Sequence, residues 1–293
     1  MTLILSCLTR DYVLQVSDRR LVFGYPNGTW KLAEDDRNKA VVVNRTLIFA
    51  YTGWANIAGQ ETNLWFAEVI KPFVDSDRLH EGTLEVARRA TEYFVRQRYR
   101  PEPKLHTFIG VGWQRRRMDG VIVPIAVRIT NAFDDQCRPL VRARRDFVVH
   151  KAGLQRLTGI KVLANGYPVE QARLVRLERR LRRSYYLRAP LHSARVLAKE
   201  LRSISDDLGH DGTVGKNLIV TCLPKVAVLS WSDAVLGPPD GRSLSTFYVP
   251  AEGNRQIRKS STLVQKGFPI LLSDIEFDIP PPADGSDPYA GWR

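Results

Sequence analysis

The sequence predicts an α+β fold in which two antiparallel sheets are covered by pairs of helices. Hydrophobic periodicity carries most of this expectation. Apolar residues recur as short β-branched runs, then at helical spacing, then as runs again, so the chain reads strands, helix pair, strands, helix pair, strands. Runs of one element type alternating with runs of the other favour antiparallel sheets under helix layers over a parallel βαβ sheet. The chain also has no Gly-rich phosphate loop, no H-E-x-x-H and no internal repeat.

The opening runs TLILSCLT (2–9) and DYVLQVSDRRLVF (11–23) read as a hairpin turned at Arg10-Asp11. Residues 24–38, with two Gly, a Pro and Asn-Gly, read as a loop. KAVVV (39–43) and TLIFAYTG (46–53) are the next strands. The period then becomes helical over 57–75, through Leu64, Trp65, Val69 and Phe73, and over 82–98, through Val86, Ala90 and Phe94. Trp65 and Phe66 are read as packing residues. HTFIGVGW (106–113), GVIVPIAVRITNAF (120–133), RDFVVHKA (145–152) and KVLANG (161–166) return to strands. Helices follow at 169–186 and at 193–207 behind the start signal Pro190. NLIVTCLP (217–224) and KVAVLSWSD (225–233) read as a closing hairpin-like pair. The expected domain spans 1–233. Residues 234–293 are expected to be an extension in which FYVPA and FPILLSDIEF are candidate strands and 279–293 lack structure.

A chain of 293 residues with 44% apolar content can bury a full core, which excludes disorder of the whole. Cys7, Cys137 and Cys222 are too few and too scattered for a disulfide framework or a thiolate zinc site. No apolar run reaches the roughly 18 residues of a membrane span, and MTLILSCLTRD lacks the basic start and small-residue cleavage site of a signal peptide. A cytoplasmic protein that keeps its own N-terminus is expected. The formal net charge of +13 comes mainly from arginine, including RLERRLRR at 176–183, whose interleaved Leu suits a helix with one apolar stripe and a solvated basic face. Nucleic acid stays open as a partner for such a face but is not favoured. His80, His106, His150, His192 and His210 share no metal-ligand spacing and are read as structural or exposed.

The candidate chemistry lies at the N-terminus. Thr2 stands behind Met1, where its small side chain permits removal of the methionine. A free N-terminal threonine then combines a nucleophilic hydroxyl with an amine whose reference pKa, about 7.7–8.0, lets it act as a base. Sixteen residues on comes Asp18-Arg19-Arg20; Lys39 opens a strand, and Gly53 closes the following strand fourteen residues after it. Further along stand Asn165-Gly166 and Asp211-x-x-Val214-Gly215.

This set resembles the proteasome β-subunit branch of the N-terminal-nucleophile hydrolases, over about residues 2–233 and most specifically in the first 55. It departs in a longer Asp18-to-Lys39 interval and in two absent serines, replaced by Asn165 and Val214. The resemblance implies a four-layer αββα sandwich, amide hydrolysis of a peptide or other acylated substrate, no cofactor or metal, and a homo-oligomer such as a ring. It assigns Thr2 as nucleophile, Lys39 held as ammonium by Asp18 beside the Thr2 hydroxyl, and Gly53 as the oxyanion donor. Asn165 and Asp211, with Thr213 as an auxiliary, are assigned to orient the amine. Tyr51, Trp54 and Ala55 stand on the edge where the family builds its specificity pocket. The Asp18–Lys39 pair is expected to be partly exposed and to contribute little to stability. The rival reading is a non-catalytic member of the same fold that uses its basic surface as an interaction or RNA-binding module.

Overall fold

The computed structural model describes residues 2–24, 30–74, 78–96, 105–116, 118–153, 159–186, 189–209, 212–230, 235–236, 242–251, 256–259, 261–265, 276–279 and 291–292. Strand β1 (Leu3–Leu8) turns into β2 (Tyr12–Asp18) through Thr9, whose hydroxyl accepts the N–H groups of Asp11 and Tyr12 and donates to the Tyr12 carbonyl. Beyond β2 the backbone leaves the ladder, because the Arg19 N–H donates to the Asn217 carbonyl and the Arg20 N–H to the Asp18 carboxylate. The run expected to be one strand over 11–23 is therefore broken at Arg19-Arg20. Its remainder is β3 (Leu21–Gly24), which pairs with β4 (Trp30–Glu34) inside the segment expected to be all loop. The Gly, Pro and Asn-Gly signals fall mostly on the connection between these strands, and they masked a short ribbon on its flanks.

The chain continues with β5 (Ala40–Val43), β6 (Leu47–Thr52), a minimal ribbon of β7 (Asn56–Ile57) and β8 (Gln60–Glu61), α1 (Thr62–Ile70) and α2 (Leu79–Arg96). Next come β9 (Thr107–Arg115), β10 (Ile122–Thr130), β11 (Val148–Gly153), β12 (Lys161–Gly166), α3 (Gln171–Tyr186) and α4 (Pro190–Asp207). β13 (Leu218–Pro224) and α5 (Lys225–Ser230) lead to β14 (Val235–Leu236), β15 (Ser245–Val249), β16 (Gln256–Lys259), β17 (Thr262–Val264) and β18 (Glu276–Ile279). Two six-stranded sheets result, in the orders β12-β1-β2-β13-β15-β14 and β11-β10-β9-β6-β5-β17. Among the described residues of these sheets, only β14–β15 and β17–β5 pair in parallel.

Packing follows from strand parity. Leu3, Leu5, Leu14 and Val16 meet Leu177 and Leu181 of α3 and Leu197 and Leu201 of α4. On the second sheet Val41, Phe49 and Tyr51 meet Phe66 and Ile70 of α1 and Val86 and Ala90 of α2. The opposite faces of the two sheets supply a third cluster, in which Leu8, Val13 and Leu223 pack with Val42, Ile48, Val111 and Trp113. Ile4, Ala50 and Ile109 form a fourth. Strand β1 is thus buried on both faces, which explains its nearly continuous apolar run, interrupted by Ser6. Among the described residues no helix is long and apolar enough to cross a membrane.

Two expectations change beyond residue 224. The run at 225–233 does not pair as a strand but begins as helix α5, because β13 already has β2 on one side and β15 on the other and leaves no edge for it. The segment beyond 233 is woven into the fold, with β14 and β15 extending the first sheet and β17 the second. Of the tail expected to lack structure, only Gly291 and Trp292 are described. Trp292 is 1% exposed, stacks edge-on against Phe247 and presents its carbonyl to Arg202 at 2.8 Å. Arg202 also binds the carbonyls of Lys216, Val249 and Pro250, so one guanidinium gathers four backbone oxygens around this anchor.

Removing the indole should therefore be costly. Trp292→Ala is expected to lower unfolding free energy by about 3 kcal/mol, at the low end of the range for buried Trp truncations because a chain end can detach locally. Chemical denaturation checks this, and an unshifted midpoint would refute the anchor.

Candidate active site

Thr2 is fixed at the head of β1 by its neighbours' backbones. Its carbonyl accepts the Tyr167 N–H at 2.8 Å, and the Leu3 N–H donates to Asp18 Oδ1 at 2.8 Å. Gly166, opposite Leu3 in the register, has φ +90°, and a Cβ there would overlap the Thr2 carbonyl oxygen. Only glycine lets β12 end this close to residue 2. Thr2 is 6% exposed.

Lys39 enters from the start of β5. Asn38 Oδ1 caps the Ala40 N–H at 3.1 Å and so sets the beginning of that strand. Lys39 Nζ lies 2.7 Å from Thr2 Oγ1, 3.3 Å from Asp18 Oδ2 and 2.6 Å from the Arg20 carbonyl oxygen, which suits the three donors of an ammonium. Burial pulls its pKa below the usual lysine value, and the Asp18 charge opposes that pull. Asp18 takes the N–H groups of Leu3, Arg20 and Gly215 together with Lys39. Neither Asp18 nor Lys39 has exposed surface, contrary to the expected partly exposed pair. A surface estimate of its worth does not apply, because removing one partner would leave a buried charge alone.

Gly53 follows β6 with φ +112°, a conformation that other residues rarely adopt. It is exposed, and its N–H makes no hydrogen bond among the described residues. Trp54 is half-buried against the rings of Tyr93 and Phe94, and Ala55, also half-buried, gives its carbonyl to the Thr62 N–H at the head of α1. Tyr51, assigned by the resemblance to the edge of a specificity pocket, lies on the helix side instead. It is 2% exposed and packs on the helix side of its sheet with Phe49, and burial raises its pKa far above the usual phenol value. Alternation along β6 instead puts Thr52 on the side of Ile48 and Ala50, toward the first sheet. A Cβ on Gly166 would come within 3.2 Å of Thr52 Oγ1, so that hydroxyl lies at the same junction as Thr2.

Asn165 is buried opposite Ile4, and its Nδ2 makes no hydrogen bond among the described residues. Asp211 lies outside the described residues. Thr213 is half-buried and makes no side-chain hydrogen bond among them. The segment reaches the site through backbone, by the Gly215 N–H on Asp18 at 3.2 Å.

His106, read from sequence as structural or exposed, is fully buried directly behind Gly53. Its Nδ1 accepts the Trp54 N–H at 3.0 Å, which leaves the imidazole proton on Nε2. Desolvation pushes its pKa down to about 3.

No family model and no curated protein matches this chain. Solved structures similar to it include Anbu, an ancestral β-subunit, from Yersinia bercovieri, at 13% identity and a TM-score of 0.44, over 76% of this chain and 82% of that one. Eukaryotic HslV from Trypanosoma brucei is similar at 13% identity and a TM-score of 0.37, over 76% of this chain and 99% of that one. At that identity and superposition neither says what this chain does.

Two measurements probe the buried charges. Lys39→Met should destabilise the fold by about 3–5 kcal/mol, since it strands the Asp18 carboxylate; a loss under 1 kcal/mol would mean that water reaches the pair. His106 binds its proton far more weakly folded than unfolded, where its pKa is about 6.5. Stability should therefore fall as pH drops from about 6.5 toward about 3, by up to about 1.4 kcal/mol per unit from this group. His106→Asn should lack that component in denaturation curves taken across the same window.

Proposed function

We propose that this chain is a threonine N-terminal-nucleophile amide hydrolase with the four-layer αββα arrangement of the proteasome β-type proteins, activated by removal of Met1. The observation that carries the reading is the 2.7 Å contact between Lys39 Nζ and Thr2 Oγ1 in a pocket where lysine and its carboxylate partner are both buried. A surface lysine has no reason to be buried at that cost, whereas a cation beside a hydroxyl oxygen favours its alkoxide character.

In this reading Thr2 Oγ1 attacks the substrate carbonyl carbon, and its proton passes to the α-amine. Negative charge develops on the former carbonyl oxygen and is met by the free N–H of Gly53, an interaction worth about 2.7–4 kcal/mol per donor. Collapse breaks the C–N bond, the protonated α-amine returns its proton to the leaving amine, and an ester on Thr2 remains. Water then attacks the ester with the amine again as base and releases the acid. Asn165, with its unused Nδ2, orients the amine or that water; Asp18 keeps Lys39 in place. The substrate is a peptide or another acylated amine, and a homo-oligomer is the proposed assembly.

A second reading, a basic interaction module on the same fold, draws on α3. Arg173 and Arg180 of that helix pair with Glu200, but Arg176, Arg179, Arg182 and Arg183 form no ion pair among the described residues. This surface suits an acidic partner without requiring turnover.

Intact mass first establishes whether Met1 is removed, and peptide mapping after a threonine-directed electrophile should place the adduct on Thr2. Thr2→Ala should abolish hydrolysis, Thr2→Ser should keep part of it, and Lys39→Ala should lose nearly as much as Thr2→Ala, because groups acting as one unit are not additive. The value of kcat/KM should rise with pH as the amine loses its proton near about 7.7–8.0. Full turnover by Thr2→Ala would end this reading in favour of the second.

A further inference from the structure

We propose that His106 is a positioning residue for the oxyanion donor: by accepting the Trp54 N–H and backing against Gly53, it fixes the Gly53–Trp54 peptide and so limits how far the adjoining Thr52–Gly53 peptide, which carries the Gly53 N–H, can turn. This rests on the reading of Thr2 as nucleophile and Gly53 as donor.

The Gly53 N–H belongs to the Thr52–Gly53 peptide that leaves β6, and a glycine at φ +112° lets that peptide turn relative to the following chain unless the chain beyond it is held. Two contacts hold it. The peptide after Gly53 is pinned by the 3.0 Å hydrogen bond from Trp54 N–H to His106 Nδ1. The ring also backs directly onto Gly53, since a Cβ on Gly53 would lie 2.7 Å from the same nitrogen and 2.6 Å from the Leu105 carbonyl oxygen.

His106 is itself held rigidly. Its N–H donates to Asn131 Oδ1 at 2.7 Å, and its carbonyl accepts from the Asn131 N–H and the Thr130 hydroxyl. The ring sits among Tyr51, Phe94, Phe108 and Phe147, an apolar enclosure that would suit phenylalanine equally well. The feature that a phenylalanine lacks is the acceptor for Trp54. The Nε2 atom is buried and without a hydrogen bond among the described residues, so the imidazole carries an unmet polar atom in order to present the other one.

The test compares two electrophiles on the purified, Met1-processed chain. A β-lactone acylates Thr2 through a tetrahedral oxyanion, whereas a peptide vinyl sulfone adds by conjugate addition and forms no carbonyl oxyanion. His106→Phe removes the acceptor and keeps the ring, with His106→Met in its place if the phenylalanine variant does not fold. His106→Asn restores an acceptor. The acceptor-free variant should react with the β-lactone about 10–100-fold more slowly, with little change toward the vinyl sulfone, and His106→Asn should recover most of the loss. Hydrogen exchange at the Trp54 amide should speed up in the acceptor-free variant and slow again in the asparagine variant. Equal slowing toward both probes, or an unchanged β-lactone rate, would overturn the positioning role while Thr2 labelling stands. Wild-type protein labelled at Thr2 by neither probe would overturn the nucleophile reading and this one with it.

Discussion

The arrangement around Thr2 depends on the solvation of one carboxylate. Asp18 has no contact with water, so the chain itself must supply its donors, and it does so from four separated segments: the Leu3 N–H, the Arg20 N–H, the Gly215 N–H and the Lys39 ammonium. Each donor fixes a piece of geometry. The Leu3 bond seats the head of β1, the Arg20 bond ends β2 and turns the chain toward the β3–β4 ribbon, the Gly215 bond sets the approach to β13, and the Lys39 bond ties the second sheet to the first. A buried anion tolerates no missing partner, which makes this junction far less forgiving than the apolar contacts around it.

The Asp18–Lys39 contact was implied by the resemblance, whose motif has the same offsets from Thr2 to Asp18 and from Lys39 to Gly53. Periodicity located both helix pairs. What these missed has identifiable causes. Tyr51 was assigned through the resemblance to the edge of a specificity pocket, whereas strand alternation puts it in the helix-side cluster and Thr52 on the other face. The run at 225–233 has the composition of a strand, and only the sheet order shows that no edge was left for it. His106 carries no motif at all; its importance comes from a tertiary contact to a backbone N–H fifty-two residues away. The Trp292 anchor was hidden by the Pro- and Asp-rich composition before it.

The surplus of positive charge is unevenly compensated. On α2, Arg88 and Arg89 are matched by Glu85 and Glu92, and the turn after β9 pairs Arg116 with Asp119. Near the site, Arg19, Arg20 and Arg37 are neutralised by Asp36, Asp35 and Glu34. Arginine there is a structural element, cross-bracing the entry to β5. On the outer side of α3 it is left to solvent, so the net charge of +13 is expressed locally, not as a uniform coat.

The position of β1 between β2 and β12 has a consequence for the order of events in synthesis. Thr2 leaves the ribosome well before its flanking strand, which ends at Gly166, and before its carboxylate's third backbone donor, at Gly215. The segment around Thr2 is therefore accessible for as long as translation takes to reach those elements, and is enclosed only when the long-range pairing closes. On the proposed reading, an enzyme that trims Met1 works on an open chain, before the enclosure that brings Lys39 against Thr2 is complete. Trimming and enclosure are, on that reading, separated in time by topology alone.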